Sequence, residues 1–233
     1  MLILTDFLIV AIVLVFFSIV SYALKLLDFQ GVLIANVVGL AAITFSPNPL
    51  LSFLTVVVFF VIGEVASNFP KKKHEKRNIW NVVGNSLPAL VALCLIISFP
   101  EKSFLFELAF FGAISAALSD TLSSEIGYFS KSLPISIITF KKVPKGEDGG
   151  VTILGELAAL FGAIIISIIY FLAYQNMVSA IIVIFAGMVG TNVDSIMGAL
   201  FETKKILSNT HVNLIGCASG AIFAFLVGLI FLI

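Results

Sequence analysis

The chain is short of charge. Lys, Arg, Asp and Glu together make up 11% of its 233 residues, less than half the share in a soluble domain, while 60% are hydrophobic. Mean hydropathy is +1.18. No single water-facing globule hides that much apolar surface, so the composition specifies an integral membrane protein. Neither sign of charge is in excess, with 13 basic and 13 acidic residues. Bulk charge therefore points to no partner, and none of nucleic acid type is expected. Cysteine is scarce: Cys94 and Cys217 both sit in apolar runs, which excludes a disulfide framework and a zinc pattern. The start, Met1-Leu-Ile-Leu-Thr-Asp6, lacks a basic n-region, so it is expected to be a retained spanning helix. No polar linker is long enough to tether a soluble domain, and residues 1–233 are expected to form one integral membrane domain.

What is present is a series of eight apolar segments: 3–24, 29–46, 49–67, 79–99, 104–128, 150–173, 177–201 and 211–232. Each is near the ~20 residues that cross a bilayer core. The expected fold is an all-α polytopic helical bundle of about eight spans, or seven if 29–46 is re-entrant. Under the eight-span reading 12 of the 13 basic residues fall on one side, with Lys102 alone opposite. Positive charge marks the cytoplasmic side, so both termini are expected outside.

The acids are not scattered. Asp120, Glu125, Glu156, Asp194, Glu202 and Glu64 all fall near the inner ends of their segments. Charged residues within spans are costly and default to function. Glu107 lies near an outer end and is given no role. At ~100° per residue, Asp120, Thr121, Ser123, Ser124, Glu125 and Gly127 fill one arc of about 200°. Asp120 and Glu125 are about 140° apart, so they share one ion only if the helix unwinds or the cavity wraps around it. Gly187, Thr191, Asp194, Gly198 and Glu202 form one stripe of small and acidic residues, and small residues admit a close neighbour. Asn78, Asn81 and Asn85 make an amide ladder entering from a basic loop, and Asn209, His211 and Asn213 are polar at another inner entrance.

The block Lys141-Lys-Val-Pro-Lys-Gly-Glu-Asp-Gly-Gly150 precedes a helix. Glycines permit close backbone approach, and the free N–H groups of a helix start favour an anion. The turn lacks a Gly-Lys-Ser/Thr ending, so it is not a Walker A loop. Acids beside a phosphate need a cation between them, and magnesium held by one or two carboxylates plus phosphate oxygens meets that need. Each feature also has a plainer reading. Lys71–Arg77 reads equally as a topology anchor, Gly149-Gly150 as a simple turn, Ser123 and Ser124 as hydroxyls bonded to their own helix, and His211 as structural.

Five blocks in order carry a family resemblance: Arg77-Asn-Ile-Trp-Asn-Val-Val-Gly-Asn85, Ala116-Ala-Leu-Ser-Asp-Thr-Leu-Ser-Ser-Glu-Ile-Gly127, Val143-Pro-Lys-Gly-Glu-Asp-Gly-Gly-Val-Thr152, Asp194-Ser-Ile-Met-Gly-Ala199 and Asn209-Thr-His-Val-Asn213. Together they resemble a membrane family that includes plant phytyl-phosphate kinase and is related to phytol and polyprenol kinases. The resemblance implies a CTP-dependent kinase that converts an isoprenyl monophosphate to the diphosphate at the cytoplasmic face of the membrane. On that reading Asp120, Glu125 and Asp194 are catalytic and hold Mg2+ against the nucleotide. The Gly146–Gly150 backbone with Asp148, Gly149, Lys142 and Lys145 cradles the phosphate tail, joined by Ser124 and Thr152. Asn81, Asn85, Asn209 and Asn213 orient phosphate oxygens or ribose. The expected partners are an isoprenyl lipid, a nucleoside triphosphate and membrane lipids, with oligomeric state left open. An ion-coupled secondary transporter and a CTP-dependent lipid-phosphate cytidylyltransferase are the alternatives.

Overall fold

A computed structural model describes residues 4–23, 28–67 and 79–231. Lys25, Asn78 and the basic cluster Lys71, Lys72, Lys73, Lys76 and Arg77 lie outside the described residues. Among the described residues eight α-helices run in chain order: α1 Leu4–Ala23, α2 Phe29–Phe45, α3 Pro49–Ser67, α4 Ile79–Ser98, α5 Ser103–Gly127, α6 Ile153–Tyr174, α7 Met177–Met197 and α8 Asn209–Phe231. Among the described residues six helices are long and apolar enough to cross a membrane, with shorter apolar stretches at Val10–Ala23 and Phe29–Phe45. The molecule is an all-α polytopic membrane protein. The segment 29–46 does not turn back on itself: α2 is one unbroken helix of 17 residues, started by Asp28, whose carboxylate accepts the Gly31 N–H at 2.7 Å.

α5 is the axis. Of its 25 residues 17 are buried, so it has almost no side left for lipid, and α3, α4, α6, α7 and α8 pack around it. Alanines and serines make that possible. Ser115 Oγ donates to the Val183 carbonyl on α7 at 2.9 Å, and Ser119 Oγ to the Ala159 carbonyl on α6 at 3.0 Å. Hydroxyls thus tie neighbouring backbones where lipid offers no competing water. α5, α7 and α8 meet at backbone distance: a Cβ added to Gly190 would overlap Ala116 and stand 2.9 Å from the Gly216 carbonyl. Such small-residue contacts replace the hydrophobic drive that lipid removes.

Two regions depart from the sequence reading. The segment 150–173 does not start as helix. Gly150–Val151 (β2) pairs antiparallel with Ile135–Ser136 (β1), with Ile135 opposite Val151, and α6 begins only at Ile153. The connection between α5 and α6 is therefore a folded hairpin, not a polar linker. The segment 177–201 is not uniformly α-helical either. After Met197 the chain widens into a π-turn over Gly198–Glu202, in which the Thr203 N–H reaches the Gly198 carbonyl at 3.2 Å. Single π-turns recur at functional sites.

Candidate functional site

Four pieces of chain converge at the end of the bundle where α5 finishes. α5 supplies Asp120, Ser123, Ser124 and Gly127, and the hairpin supplies Tyr128, Pro134, Lys145 through Gly150, and Thr152. The end of α7 and its π-turn supply Asp194, Ser195, Gly198 and Glu202, and α8 begins beside them with Asn209. Between them lies a polar cavity of about 270 Å3.

Asp120 and Asp194 face each other across it within hydrogen-bonding reach. Each is fixed by its own neighbour. Thr191 Oγ1 donates to Asp120 Oδ1 at 3.4 Å. Asp194 lies against α8 at Gly216, where an added Cβ would stand 3.0 Å from its Cβ. The stripe read on the seventh segment is therefore real: Gly187 packs on α5, Thr191 and Asp194 face Asp120, and Gly198 and Glu202 border the cavity. Glu202 joins the site through the π-turn and borders the cavity beside Asn209.

The glycine turn is docked on α7. Gly146 and Gly149 have φ of 84° and 76°, the left-handed region that favours glycine. A Cβ on Gly149 would overlap Ala199 and approach the Ser195 carbonyl to 2.6 Å, so this position has neither the backbone freedom nor the space for another residue. The Gly150 N–H closes the turn on the Glu147 carbonyl at 3.0 Å. Thr152 then caps α6, accepting the Gly155 N–H at 3.0 Å and donating to the Gly127 carbonyl at 3.4 Å. Lys145 stretches across the hairpin to the carbonyls of Tyr128 (3.3 Å) and Ser130 (2.5 Å). Partial burial holds the Asp148 carboxyl above the usual carboxylate range.

The structure does not bring every expected residue to this cavity. Glu125 does not line it. Sharing an ion with Asp120 calls for α5 to unwind or the cavity to wrap around it; α5 stays helical to Gly127 and the cavity lining does not reach Glu125. Lys142 does not line the cavity: its backbone bridges Ile135 and its side chain is exposed. Asn81 and Asn85 border a separate small space between α2, α3 and α4, and Asn85 Nδ2 bonds the Asn81 carbonyl at 3.1 Å. Asn213 is buried behind Asn209 and donates to its Oδ1 at 3.3 Å. Glu156 meets Asn192 at 3.4 Å. Ser208 Oγ and His211 Nδ1 are 2.7 Å apart at the start of α8, the structural reading of that histidine. Tyr128, Pro134 and Ser195 line the cavity with no place in the sequence reading of the site, while Ser123, Glu147, Gly198 and Glu202 stand in that reading only as members of the polar arc, the glycine turn and the stripe. For Glu202 and Gly198 the helical stripe carried the signal. Pro134 and Ser195 carried none.

The family model for integral membrane protein DUF92 matches residues 12–221. The chain belongs to this family. As a DUF92 member it is 36% identical over 211 residues to the uncharacterized membrane protein MJ0933 of Methanocaldococcus jannaschii, covering 87% of this chain and 86% of that one. It is 32% identical over 193 residues to protein VTE6, chloroplastic, of Arabidopsis thaliana, covering 75% of this chain and 57% of that one. It is 28% identical over 185 residues to the uncharacterized membrane protein sll0875 of Synechocystis, covering 74% and 72%. No solved structure matches the chain.

The cavity is acidic. Asp120, Asp194, Glu202, Glu147 and Asp148 face one lysine, Lys145. A bare phosphate would be repelled there, while a phosphate carrying a divalent cation would not. Among the described residues no three of His, Cys, Asp and Glu are grouped to hold a metal ion by themselves. Two facing carboxylates suit Mg2+, which takes one or two carboxylates and completes its shell with water and phosphate oxygens. They do not suit a structural zinc or an all-protein calcium cage.

Proposed function

We propose that this DUF92 protein is an isoprenyl-phosphate kinase that uses CTP to make the diphosphate at the cytoplasmic membrane face. The observation that carries the reading is the Asp120–Asp194 pair, set in a polar cavity walled by the glycine turn. The resemblance to the family of plant phytyl-phosphate kinase supplies the substrate class and the nucleotide.

Asp120 and Asp194 would hold the Mg2+. Bound there, the ion supplies charge neutralisation for the transferring phosphoryl group. The turn from Gly146 to Gly150 presents backbone to the phosphate tail, and Lys145 keeps one of its three donors beyond the two carbonyls it bonds. Ser123, Ser124 and Asn209 add neutral donors around the same space. Asn81, Asn85, Asn213, Glu125 and Lys142 have no part in this version of the site. Phosphoryl transfer is mainly positioning and electrostatics. The acceptor phosphate is already anionic near neutral pH, so the chemistry asks for no strong general base.

The described lysines support that orientation. Lys131, Lys141, Lys142, Lys145, Lys204 and Lys205 fall at the cavity end of the bundle, and Lys102 at the other. Positive residues favour the cytoplasm. Asp120 is seven residues before the end of α5, or about 10 Å, a depth that suits a substrate headgroup better than the mid-membrane site of a carrier. The test is purified protein with labelled CTP, Mg2+ and a panel of prenols and prenyl phosphates. Prenyl diphosphate with CDP is the expected product. CDP-lipid with pyrophosphate, or no transfer to any prenyl acceptor, would overturn the kinase assignment.

A further inference from the structure

The hairpin between α5 and α6 has two faces. One lines the cavity with Tyr128, Pro134 and the glycine turn. The other turns large apolar side chains outward: Phe140 is 81% exposed, Leu133 51% and Ile138 40%. This is a connecting segment outside the helices, where exposed side chains are ordinarily polar. A contiguous outward apolar patch marks a surface that something covers.

Phe140 is not exposed by chance of a loose loop. It has a φ of 54°, a conformation that non-glycine residues seldom adopt. The Phe140 N–H bonds the Ser136 carbonyl at 2.9 Å, and the Ser136 N–H bonds the Lys141 carbonyl at 2.9 Å. Those two bonds close a tight loop from Ser136 to Lys141, with Phe140 fixed at its closing end. Lys131, Lys141 and Lys142 are exposed on the same segment. The hairpin also leads into an exposed apolar face of the bundle: Ile135, 43% exposed, pairs with Val151, and two residues after β2 Ile153 is 80% exposed, with Leu157 and Phe161 following down α6.

We propose that this hairpin is seated in the headgroup layer of the leaflet at its own end of the bundle, with Phe140 as anchor and the three lysines on anionic lipid headgroups. Aromatic rings and lysines are the residues that settle at that depth. The continuity with the α6 face selects lipid over a second protein as the cover. With the hairpin held there, the cavity mouth lies at headgroup level and an amphiphile's phosphate reaches Asp120 and Asp194 without its chain leaving the leaflet. That last consequence rests on the proposed kinase reading. The seating of the hairpin does not.

The chain has a single tryptophan, so Trp80→Phe with Phe140→Trp gives one reporter. It is placed in nanodiscs of mixed phosphatidylcholine and phosphatidylserine, with and without lipids brominated high on the acyl chain. The expected result is blue-shifted emission, quenched at least twofold by brominated lipid and little by aqueous iodide. Emission insensitive to brominated lipid overturns the seating, whether iodide quenches it (open to water) or not (covered by protein). Leu133→Trp reports the same face if Phe140→Trp does not purify. Adding Lys141→Glu and Lys142→Glu should lower the brominated-lipid quenching by about half. Quenching unchanged by the two substitutions overturns the role of anionic lipid. Neither outcome depends on catalytic activity, so failure here is distinct from failure of the kinase assignment.

Discussion

One helix carries an acid at each end, and the two are treated in opposite ways. Glu107 and Asp120 are both on α5. Glu107 is fully buried, with Ser46 Oγ at 2.7 Å and Ser52 Oγ at 2.5 Å donating to its Oε1, while Oε2 has no hydrogen-bond partner among the described residues. The two serines are themselves 2.8 Å apart. That cluster joins the end of α2, the start of α3 and α5 into one buried knot. Asp120 instead stands within reach of a second carboxylate, Asp194, in the wall of an open polar cavity. Two carboxylates that close repel unless a cation or a shared proton lies between them. A carboxyl whose partners are all hydroxyls of the same chain is a fastener. A carboxylate whose partner is another carboxylate is waiting for something. An acid within the spans is thus functional or structural according to what surrounds it, not according to its cost.

The sharpest way to break this comparison is to neutralise each acid. Asp120→Asn and Asp194→Asn are expected to lower prenyl-phosphate turnover by about a hundredfold or more, with expression, elution profile and thermal stability close to wild type. Glu107→Ala is expected to do the reverse. It strands the Ser46 and Ser52 hydroxyls in the bundle and leaves a void, costing about 3 kcal/mol, read as a fall of several degrees in a thermal shift assay with turnover per folded molecule unchanged. Glu107→Gln keeps an acceptor and a donor and is expected to cost far less. Loss of turnover in Glu107→Ala at full folding, or wild-type turnover in Asp120→Asn, would erase the distinction.

Much of this was legible in the chain and some was not, for physical reasons. The eight helices show as runs near bilayer length, and the stripe from Gly187 to Glu202 shows because a straight helix repeats about every 3.6 residues. The hairpin does not show: a pair of two-residue strands is too short to establish alternation. The π-turn at Gly198–Glu202 is an i→i+5 event that leaves no mark on an i, i+4 pattern. The angle between Asp120 and Glu125 is readable in the chain, and Glu125 lies outside the cavity lining. Polarity at a helix entrance does not say whether an amide faces a cavity, as Asn209 does, or a neighbour. Asn85 and Asn213 found neighbours. Nothing near Glu107 in the chain marks its role, because its partners Ser46 and Ser52 are distant in sequence.

A smaller effect is expected where the open site is built from backbone. Gly149→Ala puts a Cβ into Ala199 and imposes a left-handed φ on alanine, a strain of about 1–3 kcal/mol. The turn sits outside the helices, so helix content measured by circular dichroism should hold while the turn lifts from α7. Nucleotide KM is expected to rise about tenfold, with thermal stability falling by only a few degrees. Unchanged KM would mean that the turn is not part of the cavity's working wall.

The smallest expected effect tests the electrostatics of the open site. Asp148 is on the turn, exposed, and held above its ordinary pKa by partial desolvation, near Glu202 and Asp194. A carboxyl raised on folding favours the fold when protonated, and that contribution is lost as pH rises through its folded-state value. Asp148→Asn removes the charge that incurs this loss. The variant should therefore match wild type in thermal stability well below pH 4 and exceed it slightly near pH 7, by a degree or so, with no gain in between beyond that trend. Added Mg2+ should shrink the difference at pH 7, because a cation among the carboxylates already relieves their repulsion. The buried Glu107 cluster, with no second acid opposite it, should give no such Mg2+ dependence in Glu107→Gln. If Asp148→Asn is less stable than wild type at pH 7, the charge is compensated in the fold and the acidic cavity is not waiting for a cation at that corner.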